Sequence, residues 1–352
     1  FTVNPAPVIP NQTAEICSDE IFTVSPINNP PTTIVPTDTT YTWTVVDNPN
    51  VDGDLDETTP QTSISQTLTN LTNTVQTVDY IVTPTSGADG FCVGEVFTVT
   101  VKVNPKPFMD FVDFGAICSG TAFTVTPTNN GGSALSDIVP VNTTYIWTVV
   151  DANGFVTGDS DETTAQTSIG QTLTNTSSIT QTVVYTVIPT SGAQGNCVGL
   201  PFTISVDVDP RPIMDPIAPQ TICTETAFTT PALGADVVGT VYEWVLLDVA
   251  MIPATVTGYP TDITQALVGT TIFNSGDDAY TLTYEFIPSF NGCVGPSKFF
   301  DITVEPAPIV DFDILDQSVC SGGTSFLVNL DSETTPVDIS WTIDPTLYPA
   351  IT

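Results

Sequence analysis

The sequence predicts an all-β protein in which tandem β-sandwich domains follow one another in an extended string. Two observations predict this class. Strand-like segments alternate with period 2, as in Tyr145–Val149, where the Tyr, Trp and Val side chains share one face. Turn clusters such as Pro189–Gly192 separate these segments, and no segment keeps a helical period over 12 residues. We therefore expect six or seven strands in each domain.

An internal repeat defines these domains. The segment TYTWTVVD (Thr40–Asp47) recurs as TYIWTVVD (Thr144–Asp151), and the offset is 104 residues at Trp43→Trp147 and 105 at Cys92→Cys197. A third, more diverged copy carries VYEWVLLD, and a fourth begins with VCSGGTSF. A unit of this size corresponds to one whole small domain rather than to one turn of a solenoid.

Pro-x-Pro segments mark the boundaries between the repeats, at 5–7, 105–107, 210–212 and 306–308. Because proline restricts its own backbone and that of the preceding residue, we expect each to be a semi-rigid spacer. Both ends of the chain fall within a repeat, which indicates a slice of a longer protein. The predicted organisation is the end of a preceding repeat (1–7), repeat 1 (8–105), repeat 2 (108–210), repeat 3 (213–306) and the N-terminal part of repeat 4 (309–352).

The charge balance excludes several functions. The 352 residues include 4 basic and 39 acidic side chains, for a net charge of −35, and no histidine. Four basic groups cannot neutralise a run of phosphates, so nucleic-acid binding is excluded. An anionic membrane surface would repel the chain. No apolar stretch of about 18 residues predicts a transmembrane segment.

The four tryptophans occupy one repeat position. In immunoglobulin-like domains a buried Trp lies on a corresponding central strand, so we expect these rings in the domain cores. An aromatic platform for sugars is the alternative. The residues are Trp43, Trp147, Trp244 and Trp341.

Each full repeat has an early cysteine, which follows Ile, and a late one, which precedes Val-Gly. The simplest pairing lies within repeats, as Cys17–Cys92, Cys118–Cys197 and Cys223–Cys293, and leaves Cys320 over. It requires the early-cysteine turn and the late loop to lie at the same end of the sandwich. Buried free thiols are the alternative, whereas zinc is excluded because there is no CxxC motif and no histidine. Disulfides would indicate an oxidising compartment.

Acidic clusters recur after the Trp strand and around the second joint, and calcium is the candidate cation because it prefers several carboxylate oxygens. The alternative is solvated surface charge. The candidate ligands are Asp52, Asp54, Asp56, Glu57, Asp159, Asp161, Glu162, Asp207, Asp209 and Asp215. No nucleophile–base pair recurs among the repeats, so we expect no enzymatic activity.

The pattern ICSGTAFTVTP, TYIWTVV, GQTLTNTS, QTVVYTVIPTSG, NCVG and VDVDPRP resembles the PKD-like tandem repeats of Bacteroidota surface proteins, which occur in very large gliding-motility adhesins. This resemblance covers essentially the whole chain and departs from the pattern in the middle of repeat 3, at 251–270. It implies immunoglobulin-like sandwiches, export by the type IX secretion system and display at the outer membrane.

The sequence therefore predicts a non-catalytic, secreted stalk segment of a cell-surface adhesin that serves gliding motility or surface attachment. Regions outside this slice would contact the outer-membrane gliding and secretion machinery. Two alternatives are modules that bind a surface polysaccharide or a protein, and subunits of a self-assembling filament.

Overall fold

The computed structural model describes residues 3–87, 90–129, 137–192, 195–262, 267–312, 330–332, 338–340 and 342. The predicted core residue Trp341 and the unpaired Cys320 lie outside the described residues.

Repeat 1 is a sandwich of two sheets. Its larger sheet has the order β1-β8-β7-β3-β5, and the smaller one has the order β2-β6-β4. The strands are β1 Gln12–Cys17, β2 Glu20–Val24, β3 Thr40–Val46, β4 Val51–Asp52, β5 Glu57–Gln61, β6 Ile64–Asn70, β7 Gln76–Thr85 and β8 Phe97–Asn104. Strand β1 runs parallel to β8, whereas the other neighbours in these sheets are antiparallel.

Repeat 2 repeats this topology, with sheets β13-β11-β15-β16-β9 and β10-β14-β12. Its strands are β9 Val112–Cys118, β10 Thr121–Ala122, β11 Thr144–Asp151, β12 Val156–Thr157, β13 Glu162–Gln166, β14 Thr172–Asn175, β15 Gln181–Thr190 and β16 Phe202–Asp209. Eight strands per repeat exceed the predicted six or seven, since two-residue strands such as β4 and β12 are too short to show a period in the sequence.

Repeat 3 has sheets β17-β24-β22-β19 and β18-β21-β20, and β23 pairs with β22. Its strands are β17 Gln220–Cys223, β18 Thr226–Ala227, β19 Val241–Leu246, β20 Val256–Thr257, β21 Thr271–Asn274, β22 Tyr280–Phe290, β23 Cys293–Val294 and β24 Lys298–Glu305. A short 3-10 helix, Val249–Met251, lies at the start of the region where the sequence departs from the repeat pattern. A further pair, β25 Val310–Phe312 and β26 Leu330–Ser332, follows.

Each repeat buries its own hydrophobic cluster, so the sandwiches have three separate cores. The side chains alternate between the core and the surface along each long strand; in β15 every second residue is buried. Trp43, Trp147 and Trp244 are 4%, 5% and 6% exposed. The indole N–H of Trp43 donates to the Leu55 carbonyl at 3.1 Å. Rings buried in this way belong to the cores and offer no surface for stacking a sugar.

The chain divides into two compact units, residues 1–209 and 210–352. The first contains repeats 1 and 2, together with the joint between them.

Candidate functional site: the joint between repeats 1 and 2

A disulfide bond joins repeat 1 to repeat 2. It links Cys17, at the end of β1, to Cys197, in the loop between β15 and β16, with a Cα–Cα distance of 5.6 Å. Cys197 is only 1% exposed. The two cysteines are 180 residues apart in the sequence, so the bond connects two neighbouring domains rather than closing one.

The predicted pairing within repeats is therefore wrong. Cys17 pairs with Cys197 instead of Cys92, and Cys92 and Cys223 have free thiols. The reason is the distance between the two cysteines. Cys17 lies opposite Asn104, the last residue of β8, whereas Cys92 precedes Phe97, the first residue of β8. Eight residues of strand separate the two ends by roughly 23 Å, and disulfide-bonded Cα atoms lie within about 7 Å.

Cys118 and Cys293 are disulfide-bonded as well. Cys118 is the early cysteine of repeat 2, and Cys293 is the late cysteine of repeat 3. The predicted partner of Cys118 is Cys197, which is bonded to Cys17. The predicted partner of Cys293 is Cys223, which has a free thiol, so both predicted pairings are excluded.

The parallel register of the first strand on the last one places the early cysteine at the joint. Cys17 is the register partner of Asn104, and the Ser18 N–H donates to the Asn104 carbonyl at 2.9 Å. Cys118 and Cys223 occupy the same position in their own repeats, opposite Asp209 and Glu305. Each of these partners is the last residue before a Pro-x-Pro segment. The end of each repeat therefore carries its early cysteine beside the chain that leads into the next repeat.

A buried asparagine holds this turn in place, which the sequence analysis did not identify. The Asn70 side chain, 2% exposed, donates to the carbonyls of Val103 (2.8 Å) and Thr74 (2.7 Å) and accepts from Thr72 N–H at 2.9 Å. Its backbone N–H donates to Ser18 Oγ, in the residue after Cys17. The recurrence of Asn at the end of TLTN and TIFN was the available signal. The equivalent asparagines, Asn175 and Asn274, make matching bonds to Val208 and Val304.

The late loop of repeat 2 forms the opposite side of the joint. The Ser191 N–H donates to the Cys197 carbonyl at 2.9 Å, and the Cys197 N–H donates to Ser191 Oγ at 3.0 Å. The loop packs against repeat 1 at Gly195, where a Cβ atom would lie 2.4 Å from Asn104 Nδ2. At Gly199 a Cβ would lie 2.2 Å from the Pro107 carbonyl oxygen, so this position has no room for a side chain.

The Pro-x-Pro segment, which the sequence predicts to be a semi-rigid spacer, is part of this packed joint. Pro105 and Pro107 are buried, and Lys106 between them is half-buried. The Lys106 Nζ atom lies 3.8 Å from Asp19 Oδ2. Such a partly exposed ion pair contributes at most about 1 kcal/mol, so the disulfide and the close packing dominate the joint.

The sequence profile of the PKD-like domain matches residues 14–107, 115–212 and 220–308. The chain belongs to the PKD-like domain family. No curated protein matches the chain.

Several solved structures are similar to this tandem PKD-like chain at low identity. Mouse cadherin-23 EC22–24 is 12% identical over 86% of this chain and 100% of that chain, with a TM-score of 0.30. Domains 3–5 of Drosophila OTK are 10% identical over 85% of this chain and 97% of that one, with a TM-score of 0.27. The protocadherin gamma B4 extracellular domain is 11% identical over 93% of this chain and 55% of that chain, with a TM-score of 0.29.

The acidic residues after the Trp strand of each PKD-like repeat accept local hydrogen bonds. Asp56 Oδ1 accepts from the Val45 N–H at 2.7 Å, and the equivalent Asp161 Oδ1 accepts from the Val149 N–H at 2.8 Å. These carboxylates hold the loop against the Trp strand. Four more carboxylates likewise accept hydrogen bonds from backbone N–H groups, namely those of Asp52, Asp54, Glu57 and Glu162. The remaining predicted ligand of this group is Asp159. Burial raises the pKa of the Tyr185 hydroxyl, and the nearby Asp159 carboxylate raises the pKa of Tyr185 further.

Two of the three acidic side chains near the second joint accept hydrogen bonds within repeat 2, whereas Asp215 is hydrogen-bonded through its backbone. Asp207 and Asp209 accept from the hydroxyls of Thr182 and Thr180 on the neighbouring strand. The Asp215 N–H donates to the Gly234 carbonyl at 2.9 Å. Among the described residues, no three acidic or cysteine side chains lie close enough together to hold a metal ion. Calcium binding by the predicted ligands therefore stays a prediction.

The joint predicts the effect of removing Asn70. The Asn70→Ala variant leaves the buried Val103 and Thr74 carbonyls without their donor, which costs about 2–3 kcal/mol. Local opening would then be roughly 30- to 150-fold more frequent. Hydrogen-exchange mass spectrometry should show faster exchange by that factor in β8. Asn73→Ala is the matched control, because no hydrogen bond of the Asn73 side chain is found among the described residues, and unchanged β8 exchange in Asn70→Ala would contradict the assignment.

Proposed function

We propose that the chain is a load-bearing, non-catalytic stalk segment of a very large bacterial cell-surface adhesin. In this function each PKD-like repeat adds length between a cell-surface attachment and a distant binding region. The observation that carries the proposal is the Cys17–Cys197 bond, because it joins two neighbouring repeats covalently. A bridge at this place keeps the joint closed when the chain is pulled.

The bond also shortens the covalent path along which tension passes. A force that enters before Cys17 and leaves after Cys197 crosses the disulfide, so the intervening residues 18–196 are not extended. These residues include most of repeat 1 and most of repeat 2. If the disulfide were absent and both sandwiches unfolded, residues 18–196 would add roughly 600 Å of contour length, at about 3.3–3.6 Å per residue. A stalk benefits from this arrangement, because the repeats keep their length even when a sandwich unfolds transiently.

Composition and family membership support an extracellular location for this chain. Disulfide bonds persist in oxidising compartments, and the net charge of −35 keeps neighbouring chains apart in solution. Among the described residues, no helix has the length and apolar character needed to cross a bilayer. The resemblance to gliding-motility adhesins of Bacteroidota leads us to propose export by the type IX system, with attachment to the gliding machinery through other regions of the protein.

The absence of histidine supports a non-catalytic role, since the commonest general base is missing from the chain. PKD-like repeats typically have no catalytic function.

A second candidate function, ligand binding, is favoured by a cavity of about 380 Å³ in repeat 2. Phe111, Phe202 and Met109 line this cavity, as do Asp113 and Asp137. Apolar rings beside carboxylates suit a neutral sugar or a short peptide. On a glycan array the stalk function predicts no binding, whereas binding that Phe111→Ala abolishes would favour the second function.

The stalk function predicts the response of the chain to force. The full chain would be pulled between its N terminus and a click handle at the exposed Leu200, in an optical trap. The oxidised chain should stay short, because only the few residues outside the Cys17–Cys197 bond can extend. Cys17→Ser should lengthen by roughly 600 Å more when its sandwiches unfold.

Cys92→Ser is the matched control, since it removes a free thiol and should behave like the unchanged chain. A chain with intact Cys17 and Cys197 that lengthens as much as Cys17→Ser would contradict the load-bearing function.

A further inference from the structure

We propose that Cys92 and Cys223 are halves of two further disulfides that continue this covalent connection into adjacent repeats. The proposal generalises the Cys17–Cys197 bond to a pairing rule, in which the early cysteine of one repeat bonds to the late cysteine of the repeat that follows. Cys92, a late cysteine, would take the early cysteine of a repeat preceding repeat 1. Cys223, an early cysteine, would take the late cysteine of a repeat following repeat 3. The inference concerns the pairing alone and stands whether or not the chain is a stalk.

Cys223 has the same surroundings in repeat 3 that Cys17 has in repeat 1. It ends a first strand that runs parallel to the last strand of the repeat, and its register partner is Glu305. The Thr224 N–H donates to the Glu305 carbonyl at 2.8 Å, as the Ser18 N–H donates to that of Asn104 at 2.9 Å. Pro306-Ala307-Pro308 follows directly. The Cys223 side chain is exposed at this end of repeat 3 and has a free thiol.

Cys92 has the surroundings that Cys197 has in repeat 2. A Cβ at Gly90 would lie 2.5 Å from Asn4 Nδ2, and the corresponding distance from Gly195 to Asn104 Nδ2 is 2.4 Å. A Cβ at Gly94 would lie 2.3 Å from the Pro7 carbonyl oxygen, and the value for Gly199 and Pro107 is 2.2 Å. The late loop of repeat 1 therefore packs on residues 4–7 in the way that the late loop of repeat 2 packs on residues 104–107.

This equivalence fixes where the partner of Cys92 would lie. The Cys92 Sγ atom is 3.8 Å from the Asn4 carbonyl oxygen. In the joint between repeats 1 and 2, the cysteine that is bonded is the register partner of Asn104. A first strand paired in the same parallel register with a strand ending at Asn4 would place its last cysteine beside Cys92. The pairing therefore needs no movement of the late loop.

Cys118 and Cys293 are both disulfide-bonded, so neither is available as a partner for Cys92 or Cys223. Four of the six predicted disulfide cysteines are thus bonded in the described structure. The two free thiols, Cys92 and Cys223, are those whose partners under this rule would lie in a repeat before repeat 1 and in a repeat after repeat 3.

The bonds would form by thiol–disulfide exchange with an oxidised partner, such as oxidised glutathione or a disulfide oxidoreductase. One protein thiolate attacks the partner's disulfide and forms a mixed disulfide, with release of one partner thiolate. The second protein thiolate then displaces the other partner sulfur. One protein S–S bond forms, one partner S–S bond breaks, and the two electrons and two protons pass to the partner as two thiols.

The rule has a mechanical consequence for a longer array. From Cys197 the covalent path reaches the next early cysteine, Cys223, after 26 residues, and from there it would cross the next disulfide. Only about 26 residues in every two repeats would then carry tension directly.

The test extends the chain by one repeat without changing the joint. Because Asn4 and Pro5 correspond to Asn104 and Pro105, residues 1–104 are fused directly to residues 5–352. The added copy carries Cys92→Ser, and also Thr13→Ser as a mass marker on an exposed residue. Both chains are oxidised with glutathione, alkylated without reduction, digested and mapped by mass spectrometry.

In the 352-residue chain Cys92 should be alkylated. In the fusion it should be protected, and it should appear in a peptide linked to Cys17 of the added copy, identified by the mass marker. Replacing that Cys17 with Ser should restore the alkylation of Cys92. An alkylated Cys92 in a protease-resistant fusion, or a bond from Cys92 to Cys17 of its own repeat, would overturn the proposal.

A second fusion tests the other end and guards against misfolding of the first. Residues 1–305 are followed directly by residues 105–209, because Glu305 corresponds to Asn104. Cys223 should become protected and linked to the added copy of Cys197. If Cys223 stays alkylated while the added repeat resists proteolysis, the proposal is wrong.

Discussion

The parallel pairing of β1 with β8 determines the behaviour of the whole joint. Since both strands run in the same direction, β1 ends beside Asn104, where repeat 1 passes into the Pro-x-Pro segment. An antiparallel first strand would end beside the late loop of its own repeat, and a disulfide could then close the repeat on itself. The direction of one edge strand therefore decides whether the cysteines stabilise single sandwiches or connect neighbouring ones.

The joint combines this covalent bond with close backbone packing. The glycine after each late Cys-Val leaves space for the second proline of the preceding joint, at Gly94, Gly199 and Gly295. The Asn70 network fixes the other side of the joint by holding the turn after Cys17. In the chain-entropy view a bond that closes a loop of 180 residues is worth about 5 kcal/mol. Because that loop includes parts of two sandwiches, the bond couples their stabilities instead of adding to only one.

Much of the fold was predictable from the sequence, whereas the site was not. Alternation in segments such as Gln181–Ile188 identified the strands, because a half-buried sheet requires that pattern. The repeat identified the domains, and the recurrent Trp marked a core position. The cysteine pairing was predicted wrongly because proximity in sequence favoured loops of 75, 79 and 70 residues. The deciding fact, the direction of β1, depends on a pairing between residues 12–17 and 99–104 that no local pattern shows.

The acidic residues illustrate the same limit. A D-x-D-E spacing suggested shared ligands, yet Asp56 and Asp161 each turn toward a backbone N–H of the neighbouring strand. The spacing alone cannot distinguish a carboxylate that accepts from a backbone N–H from one that binds a cation, because the same D-x-D-E pattern serves either use. The prolines were predicted to be semi-rigid spacers, but their burial was not predicted, because Pro107 packs against Gly199 in the late loop of the next repeat.

Disulfides connect successive PKD-like repeats instead of closing individual ones. The most direct measurement is the mass of the disulfide-linked peptide that contains Cys17, obtained from the unreduced 352-residue chain. We expect this peptide to be joined to the segment that contains Cys197. A Cys17 peptide joined to the segment that contains Cys92 would contradict it.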